Sequence, residues 1–371
     1  MEYIMLRNIF VEFIAFFIPN KLKRENFRKQ YKRITKQEKI ANEITSIIDN
    51  YRILLDTVLT LEKKITAIQT TINDIEKIVS TDKVRPLKYW DGYFSTPLPG
   101  VYISIACIAK NEGPYIKEWI EYHKIVGVER FYFYDNESTD QTKEILRPYI
   151  ENGTVIYKYV KGRPMQRQCF NDAVYYSKVS TKWLALIDLD EFLVPVEKDN
   201  LPDLLNEYEK EPGLVVQRVI FDSNGHETKP SAHGGLVTAN YTRIPKDTMK
   251  LNSSFKSIVK PFRVAYVDNA HIAFYRNNLH AVNENFKRIR VAQISDPHGT
   301  VNKIRINHYF TKSKEEFHNK ILRGSNSNNS LYSKPYLYQL LDLPDSNIPS
   351  TQDLVIQKFV PRLKAAMGIK E

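Results

Sequence analysis

The chain has 371 residues, of which 42% are hydrophobic and 26% charged, so it can bury a sizeable core. Its two cysteines, Cys107 and Cys169, lie in apolar stretches outside any CxxC pattern. This usage argues against a disulfide framework or a cysteine metal site, and we expect reduced core cysteines in a cytosolic protein.

The net charge of +11 is concentrated at the N-terminus. Residues 1–39 hold ten basic and four acidic side chains, a balance of +6. Excess charge gathered in a tail indicates a surface partner for that tail. No nucleic-acid-binding motif accompanies it, and its aromatic residues are not interleaved with the basic run in a stacking pattern, so we expect no nucleic-acid partner.

Residues 1–36 form the first predicted segment, which is apolar and then basic. Its most apolar stretch, residues 3–18, is interrupted by Arg7, Asn8 and Glu12, whereas a membrane span needs about 20 mostly apolar residues. It also lacks the small-residue cleavage site of a secretory signal. We expect an amphipathic helix bound peripherally to the inner face of the cytoplasmic membrane. The alternative is a helix packed on the protein itself.

Residues 37–80 carry a heptad repeat without Pro or Gly. Its apolar positions, in steps of four and three, are Ile40, Ile44, Ile47, Tyr51, Leu54, Val58, Leu61, Ile65, Ile68, Ile72, Ile75 and Val79. The pattern predicts a coiled coil that joins copies of the chain. Isoleucine in both core positions favours a trimer over a dimer, although Tyr51 does not fit that preference. The alternative is a helix lying on its own catalytic domain, and residues 81–100, rich in Pro and Gly, are a predicted linker.

From residue 101 the pattern alternates between strands and helices. Strands are predicted at 101–109, 130–135, 154–160 and 182–188, and helices at 114–126, 138–149 and 166–180. Ser138 or Thr139 is the expected cap of the second helix. This alternation predicts an α/β fold with a mainly parallel, Rossmann-like sheet and flanking helices. In such sheets ligands bind beyond the carboxyl ends of the strands.

Acidic and amide side chains follow three of these strands. Asn111 and Glu112 follow the first, Asp135 ends the second, and Asp188 and Asp190 follow the fourth. No glycine-rich phosphate loop is present, so another group must neutralise a bound phosphate. Two aspartates between apolar runs are costly unless they are paired with a cation, so we expect Mn²⁺ or Mg²⁺ there, against a diphosphate. The alternative is a solvated loop or a helix cap.

An ordered series of segments resembles glycosyltransferase family 92 and, more widely, the family 2-like transferases. The segments are IACIAKNEGPYIKEWIEYHKIVGVERFYFYDNESTD, QRQCFNDA, KWLALIDLDEFLVP, FDSNGHETKP, KSIVKP and INHYFTKSKEEFHNKILRG, between about residues 100 and 330. The resemblance implies a GT-A fold, a nucleotide-sugar donor that is often UDP-galactose, a divalent metal, and inversion at the anomeric carbon.

Site residues follow from the same resemblance. It implies metal binding by Asp188, Asp190 and His308, and donor binding by Asn111, Glu112, Asp135, Arg163, Gln166, Asp188 and Lys312. Arg167, Lys320 and Arg323 are further candidates for phosphate contacts. The alternative for His308 is a core histidine, and for each of the basic residues a surface role.

An inverting transfer needs a base for the acceptor hydroxyl. The candidates are Glu191, Asp222, His226 and Glu227, and we favour His226 as an acceptor-site residue. Asp222 stands where the relatives commonly carry a small residue, which puts a simple transfer of acceptor specificity in doubt. His271 also recurs in the family, with a structural role as the equal alternative.

Together these features predict a GT-A domain at residues 101–330 and a C-terminal helical extension at 331–371. We expect metal-dependent transfer of a hexose onto a cell-surface or lipid-linked glycan, such as capsule or lipopolysaccharide. The alternative is a non-catalytic coiled-coil scaffold with a degenerate transferase domain. The enzymatic hypothesis fails if the two aspartates lie far from any open cleft, or pair with internal arginines so that no ion fits.

Overall fold

The computed structural model describes residues 11–12, 14–16, 18–80, 98–162, 164–245, 254–289, 296, 299–323 and 350–370. Within these ranges the side chains of residues 34–35, 38, 41–42, 67–80, 321 and 323 are not included. The chain divides into two units, Met1–Ser80 and Thr81–Glu371.

The first unit is dominated by helix α1, Lys21–Ser80, which runs for 60 residues without interruption. The helix includes the residues that carry the heptad pattern. The described seam residues are all exposed, namely Ile40, Ile44, Ile47, Tyr51, Leu54, Val58, Leu61 and Ile65. Among the helices of the described part of the chain, none combines the length and apolar content that crossing a bilayer requires.

The second unit is a mixed α/β domain with a mostly parallel sheet. The strands of its largest sheet are β1 Val101–Ala109, β2 Arg130–Asp135, β3 Val155–Tyr159, β4 Thr181–Leu186, β5 Glu191–Pro195, β6 Gly213–Ile220, β8 Phe255–Val259 and β11 Ile304–His308. The short strands are β7 Arg243–Pro245, β9 Val264–Asn269, β10 Ile272–Tyr275 and β12 Ser350–Gln352. The described helices are α2 Gly113–Ile125, α3 Thr142–Glu151, α4 Gln166–Ser177, α5 Leu201–Asn206, α6 Val237–Asn240, α7 Lys314–Arg323 and α8 Val360–Met367.

The large sheet has the order β3-β2-β1-β4-β8-β6-β11-β5. Its first four strands are parallel, as predicted. The other half departs from the prediction, because β8 runs antiparallel to both β4 and β6, and β5 runs antiparallel to β11. Consequently the amino end of β8 lies beside the carboxyl end of β4, where Ser257 pairs with Leu186.

The core lies on both faces of this sheet. Alternate residues of β1 face opposite sides, with Ile105 and Cys107 in one cluster and Ala106 and Ile108 in the other. Cys169 belongs to the second cluster, and both cysteines are buried and free, which confirms the prediction for them.

Helix α3 begins at Thr142, so the predicted cap at Ser138 or Thr139 is wrong. The Ser138 hydroxyl instead accepts a hydrogen bond from the Asn111 backbone N–H at 2.9 Å, and so ties the β2 loop to the β1 loop. The N-cap is Gln141, and the carboxylate of the preceding Asp140 accepts a hydrogen bond from the Thr142 N–H at 3.1 Å.

The C-terminal segment packs into the same core as β1. Ile356, Phe359 and Leu363 are buried in it, and Arg305 pairs with Asp353 beside β12. Residues 350–370 are thus an integral part of the domain and contain a strand, a 3₁₀ turn and a helix. Residues 331–349 and 371 of the predicted extension lie outside the described residues.

Candidate functional site

Three strand ends converge on one cluster of charged side chains. Strand β4 ends at Leu186 and delivers Asp188 and Asp190 to the edge of the sheet. Antiparallel β8 brings Lys256 to the same edge, and β11 ends at His308, which pairs in register with Glu191 of β5. The sequence patterns predicted the β4 contribution and the family resemblance implied His308, whereas Lys256 is added by the topology.

Asp188 is held by two neighbours. Lys256 Nζ lies 2.5 Å from one carboxylate oxygen, and the Gln166 amide donates to the other at 3.3 Å. Burial alone would raise the pKa of Asp188, but the Lys256 ammonium holds that pKa below its usual value. The side chain of Asp188 remains 34% exposed, so it is open to a ligand on one side.

Asp190 is more deeply enclosed. Lys320 of α7 forms a short ion pair with it, and His308 Nε2 lies 3.5 Å from the same oxygen. Burial opposes ionisation, yet the charges of Lys320 and His308 keep the pKa of Asp190 well below its usual value. Asp190 is therefore an ionised carboxylate with a cationic partner already in place.

Glu191 points away from the edge. Its carboxylate is completely buried, 3.3 Å from Lys256 and 3.4 Å from Arg218, and it accepts from the Asp188 N–H at 3.0 Å. A carboxylate in this position orients Asp188 and is not accessible to an acceptor hydroxyl. This placement does not favour the earlier assignment of Glu191 as a candidate base.

An open pocket of about 520 Å³ adjoins the cluster. Its wall includes Asn111, Glu112, Tyr115, Lys312, Glu316 and Lys320. Lys320 belongs both to this wall and to the ion pair with Asp190, so the pocket and the carboxylates are neighbours. Lys312 Nζ lies 3.6 Å from Glu112 and 3.8 Å from the centre of the Tyr115 ring.

The other predicted donor-binding residues divide into two groups. Asn111 lines the pocket, whereas both oxygens of buried Asp135 are engaged, one by the Ser138 N–H at 2.9 Å and one by the Tyr157 hydroxyl at 2.7 Å. Arg167 is turned to Asp268, 2.7 Å away, and not to the cluster. Arg163 and the side chain of Arg323 lie outside the described residues.

The segment that holds the remaining base candidates covers the start of α7. The carbonyls of His226 and Glu227 accept hydrogen bonds from the N–H groups of Lys314 and Glu315, at 3.1 and 3.0 Å. Glu227 is exposed and pairs with Lys314, and Asp222 accepts from the Asn224 N–H at 2.8 Å. His226 makes an edge contact with Tyr241, 5.5 Å between ring centres. Asp222, His226 and Glu227 are not among the described residues that line the 520 Å³ pocket.

Four site residues were not identified from the sequence, namely Lys256, Arg218, Tyr115 and Glu316. Glu316 accepts from the hydroxyls of Tyr115 and Tyr241, the latter at 2.9 Å, and from the Ser313 N–H at 3.0 Å. Burial opposes its ionisation, but these hydrogen bonds lower the pKa of Glu316. A usable signal existed, because Glu316 and Lys320 stand four residues apart and so share one helix face.

His271 lies close to the same charges but has a structural environment. Its Nδ1 is directed to the Phe255 carbonyl. Burial lowers the pKa of His271 to about 3, and the nearby charges of Lys256 and Arg218 act in the same direction. A neutral, buried imidazole supports the structural alternative for this residue.

The carboxylates do not form a ready metal site in this arrangement. Asp188, Asp190 and His308 have the oxygen and nitrogen ligands that a divalent ion accepts, but Lys256 and Lys320 hold the two carboxylates. In the described part of the chain, no group of three His, Cys, Asp or Glu side chains is placed to hold a metal ion. The implied Mn²⁺ or Mg²⁺ therefore does not fit unless a lysine moves.

Plant proteins of glycosyltransferase family 92 are among the known proteins with similar sequences. A glycosyltransferase family 92 protein of Oryza sativa subsp. japonica is 28% identical over 158 residues, which cover 42% of this chain and 26% of the rice protein. A galactan β-1,4-galactosyltransferase of Arabidopsis thaliana is 27% identical over 29% of this chain and 23% of its own length. The matched segments thus span about a quarter of these relatives.

Among solved structures, S. aureus TarS 1–349 in complex with UDP-GlcNAc is similar at 15% identity and a TM-score of 0.30. The similarity covers 43% of this chain and 46% of that one. It is too low for an argument about fold or function. The model of the family described as glycosyltransferase family 92 matches residues 100–330. Since that match covers more than half of the chain, the protein belongs to glycosyltransferase family 92.

Proposed function

We propose that the chain is a nucleotide-sugar-dependent glycosyltransferase of the GT-A fold. The observation that carries this proposal is the pair Asp188 and Asp190 at the carboxyl end of β4, beside an open pocket whose wall carries Lys312 and Lys320. Cationic groups that are fixed in a partly enclosed site stabilise the charge that develops on a departing diphosphate.

The pocket supplies distinct contacts for the parts of a nucleotide sugar. Lys312 and Lys320 are the described cations within reach of phosphate oxygens, and Asn111 and Glu112 offer polar atoms for the nucleoside. Gln166 and Lys256 fix Asp188, while Glu191 orients it from behind. The acceptor base is to be sought among Asp222, His226 and Glu227, with His226 favoured because Tyr241 links it to Glu316.

The substrates form the finer part of the proposal. We propose a hexose donor, with UDP-galactose as the first candidate, inversion at the anomeric carbon, and a cell-surface or lipid-linked glycan such as capsule or lipopolysaccharide as acceptor. A relative named as a galactan β-1,4-galactosyltransferase supports the choice of galactose. Dependence on Mn²⁺ or Mg²⁺ belongs to this proposal, but no step of the transfer is assigned to the ion, since both carboxylates are ion-paired.

The test is a donor assay on the full-length chain. UDP release is measured with UDP-galactose, UDP-glucose and UDP-N-acetylglucosamine, and GDP release with GDP-mannose, each with and without Mn²⁺. We expect one UDP-sugar to be hydrolysed or transferred, and Asp190→Asn to lower kcat/KM at least about 100-fold, the scale of losing one charged contact in the transition state. The matched control is Asp199→Asn, since Asp199 is 93% exposed, and it should leave the rate unchanged.

One observation favours the alternative, a non-catalytic scaffold. Both aspartates already have lysine partners, which is what a degenerate site retained for stability would show. If all four nucleotide sugars are inert and none raises the melting temperature, this alternative replaces the enzymatic proposal.

We further propose that α1 joins copies of the chain. Its seam residues are exposed, and Ile48 and Leu55 beside them are exposed too, which widens the apolar stripe beyond a two-position seam. A wide stripe with isoleucine at both core positions supports a trimer over a dimer. Sedimentation equilibrium should give a trimer, and Leu54→Glu/Leu61→Glu should give a monomer, whereas a wild-type monomer contradicts the coiled coil.

The N-terminal segment is proposed as a peripheral contact with the inner face of the cytoplasmic membrane. Its basic side chains and apolar stretch provide two binding signals for an anionic leaflet. The full-length protein should sediment with anionic vesicles at low salt and stay in solution with neutral ones. Recovery in solution with both kinds of vesicle contradicts the proposal.

A further inference from the structure

The C-terminal residues contact the part of the chain that holds the remaining base candidates. Asp222, His226 and Glu227 belong to residues 222–242, which we call the acceptor-side segment. Residues 350–370 contact this segment by strand pairing and by side-chain hydrogen bonds. The family model ends at residue 330, so the C-terminal partner of each contact lies outside the residues that the model matches.

The end of the acceptor-side segment leads into a two-stranded sheet, in which β7 pairs antiparallel with β12. The Arg243 guanidinium donates to the Ser350 hydroxyl at 2.6 Å, and the Asp353 N–H donates to the Thr242 carbonyl at 2.7 Å. Asp353 in turn forms an ion pair with Arg305 of β11. The C-terminal residues therefore tie the end of the segment to the main sheet.

Thr238 of α6, inside the segment, is held from two sides. The Glu118 carboxylate of α2 accepts from the Thr238 N–H and hydroxyl, both at 2.9 Å, and from the Val237 N–H at 2.8 Å. From the C-terminal side, Gln357 Nε2 donates to the Thr238 carbonyl at 2.7 Å. Because Thr238 is buried, water does not readily replace a donor that is lost at this carbonyl.

The acceptor-side segment also reaches the pocket wall. Tyr241, directly after α6, donates through its hydroxyl to Glu316 at 2.9 Å and contacts the His226 ring edge-on. Lys229 Nζ lies 4.7 Å from the centre of the Tyr115 ring. Glu316 and Tyr115 both line the pocket. A displacement of α6 would therefore move Tyr241, and with it His226, relative to the pocket.

We propose that Gln357 is a positioning residue for the acceptor side of the site. By holding the Thr238 carbonyl it fixes α6, and α6 sets the place of His226 relative to a hydroxyl at the pocket. This inference rests on the proposed function and deepens it, because residues outside the family-model match take part in activating the acceptor. The donor contacts proposed for Asn111 and Lys312 come from other elements, so donor affinity should not depend on Gln357.

The test compares the full-length Gln357→Met variant with wild type. Methionine keeps the length of the side chain but cannot donate a hydrogen bond. Release of the nucleoside diphosphate is measured for the nucleotide sugar that wild type turns over, without added acceptor, so that water takes the place of the acceptor hydroxyl. We expect kcat to fall about fivefold at an unchanged donor KM, which corresponds to about 1 kcal/mol, the net contribution of one hydrogen bond. Gln357→Lys restores an N–H donor and should recover most of the wild-type kcat.

Hydrogen–deuterium exchange locates the effect in the chain. Peptides from residues 232–242 should exchange about fivefold faster in Gln357→Met, and peptides from β1 to β4 should exchange as in wild type. The matched control is Lys358→Met, in the same C-terminal segment, whose ammonium donates instead to the carbonyls of Val196 and Lys198 at 3.1 and 3.0 Å. Its kcat and its exchange in residues 232–242 should equal those of wild type.

Equal exchange in Gln357→Met and wild type overturns the inference, as does an equal fall in kcat in Lys358→Met. Faster exchange with an unchanged kcat also overturns it, because the contact then contributes to stability alone. A rise in donor KM places the effect on the donor side and overturns it as well. If wild type turns over no nucleotide sugar, the proposed function fails, while the exchange measurement still decides whether Gln357 holds the segment.

Discussion

The Lys158–Asp172 and Lys256–Asp188 ion pairs both lie in this domain, and they differ in what surrounds the carboxylate. In the pair of Lys158 with Asp172 the side chains are 2% and 0% exposed, whereas in the pair of Lys256 with Asp188 they are 2% and 34% exposed. Tyr134 and Tyr176 complete the first pair, the Lys158 Nζ lying 4.1 Å from the centre of the Tyr176 ring. Because both lysines are buried, burial of the lysine does not distinguish a ligand site from a structural pair. The two features that do are the exposed side of Asp188 and the acidic residues next to it.

The fully buried pair of Lys158 and Asp172 should contribute to stability and not to activity. Lys158→Met leaves the Asp172 carboxylate buried without its cation, and we expect the free energy of unfolding to fall by about 3–5 kcal/mol in urea titrations. The protein that remains folded should keep the wild-type kcat. The double variant Lys158→Met/Asp172→Leu should recover most of the stability, because a buried pair is replaced by apolar groups. If the free energy of unfolding falls by less than about 1 kcal/mol in Lys158→Met, the pair does not behave as a buried ion pair.

A smaller effect is expected from the tyrosine that serves the same carboxylate. The Tyr134 hydroxyl donates to Asp172 at 2.6 Å, so Tyr134→Phe should cost about 1.5–3 kcal/mol, the usual contribution of a hydrogen bond to a charged group. Tyr132→Phe is the control on the same strand, because the buried Tyr132 hydroxyl has no hydrogen-bond partner among the described residues. Its unfolding free energy should change by less than about 0.5 kcal/mol. Equal losses in both variants rule out a specific role for the Asp172 contact.

The same contrast explains how much of the site could be predicted. Strands β1 to β4 were predicted to within two residues at each end, because continuous apolar runs alternate there with short helices. The prediction that Asn111, Asp188 and Asp190 share one edge of the sheet needed only these four parallel strands. Lys256 was out of reach, since only the antiparallel insertion of β8 brings residue 256 beside residue 188. The pairing of strands that lie far apart in the chain depends on long-range packing, so the local sequence pattern does not predict it.

Proximity in sequence was also a poor guide to direction. Glu191 follows Asp190 directly, yet it begins β5 and is wholly buried behind the site. Neighbouring residues at the start of a strand point to opposite sides, so adjacency to an acidic pair does not give access to an acceptor. Ser138 likewise looked like a helix cap, but it serves to join two loops.

The smallest expected effect concerns the lysine that lines the pocket without touching the acidic pair in the described contacts. Lys312 is held by Glu112 at 3.6 Å and by the Tyr115 ring, so its ammonium is positioned before any ligand arrives. In the proposed transferase, Lys312→Met removes one cation from the diphosphate site and should raise KM for the donor about tenfold, near 1.4 kcal/mol, with a smaller change in kcat. Initial rates of UDP release measure both constants, and Lys198→Met, whose lysine pairs with Glu207, should match wild type. If kcat falls while KM stays constant, Lys312 stabilises only the transition state. In that case the pocket wall at Lys312 takes part in catalysis and is not a separate surface for donor binding.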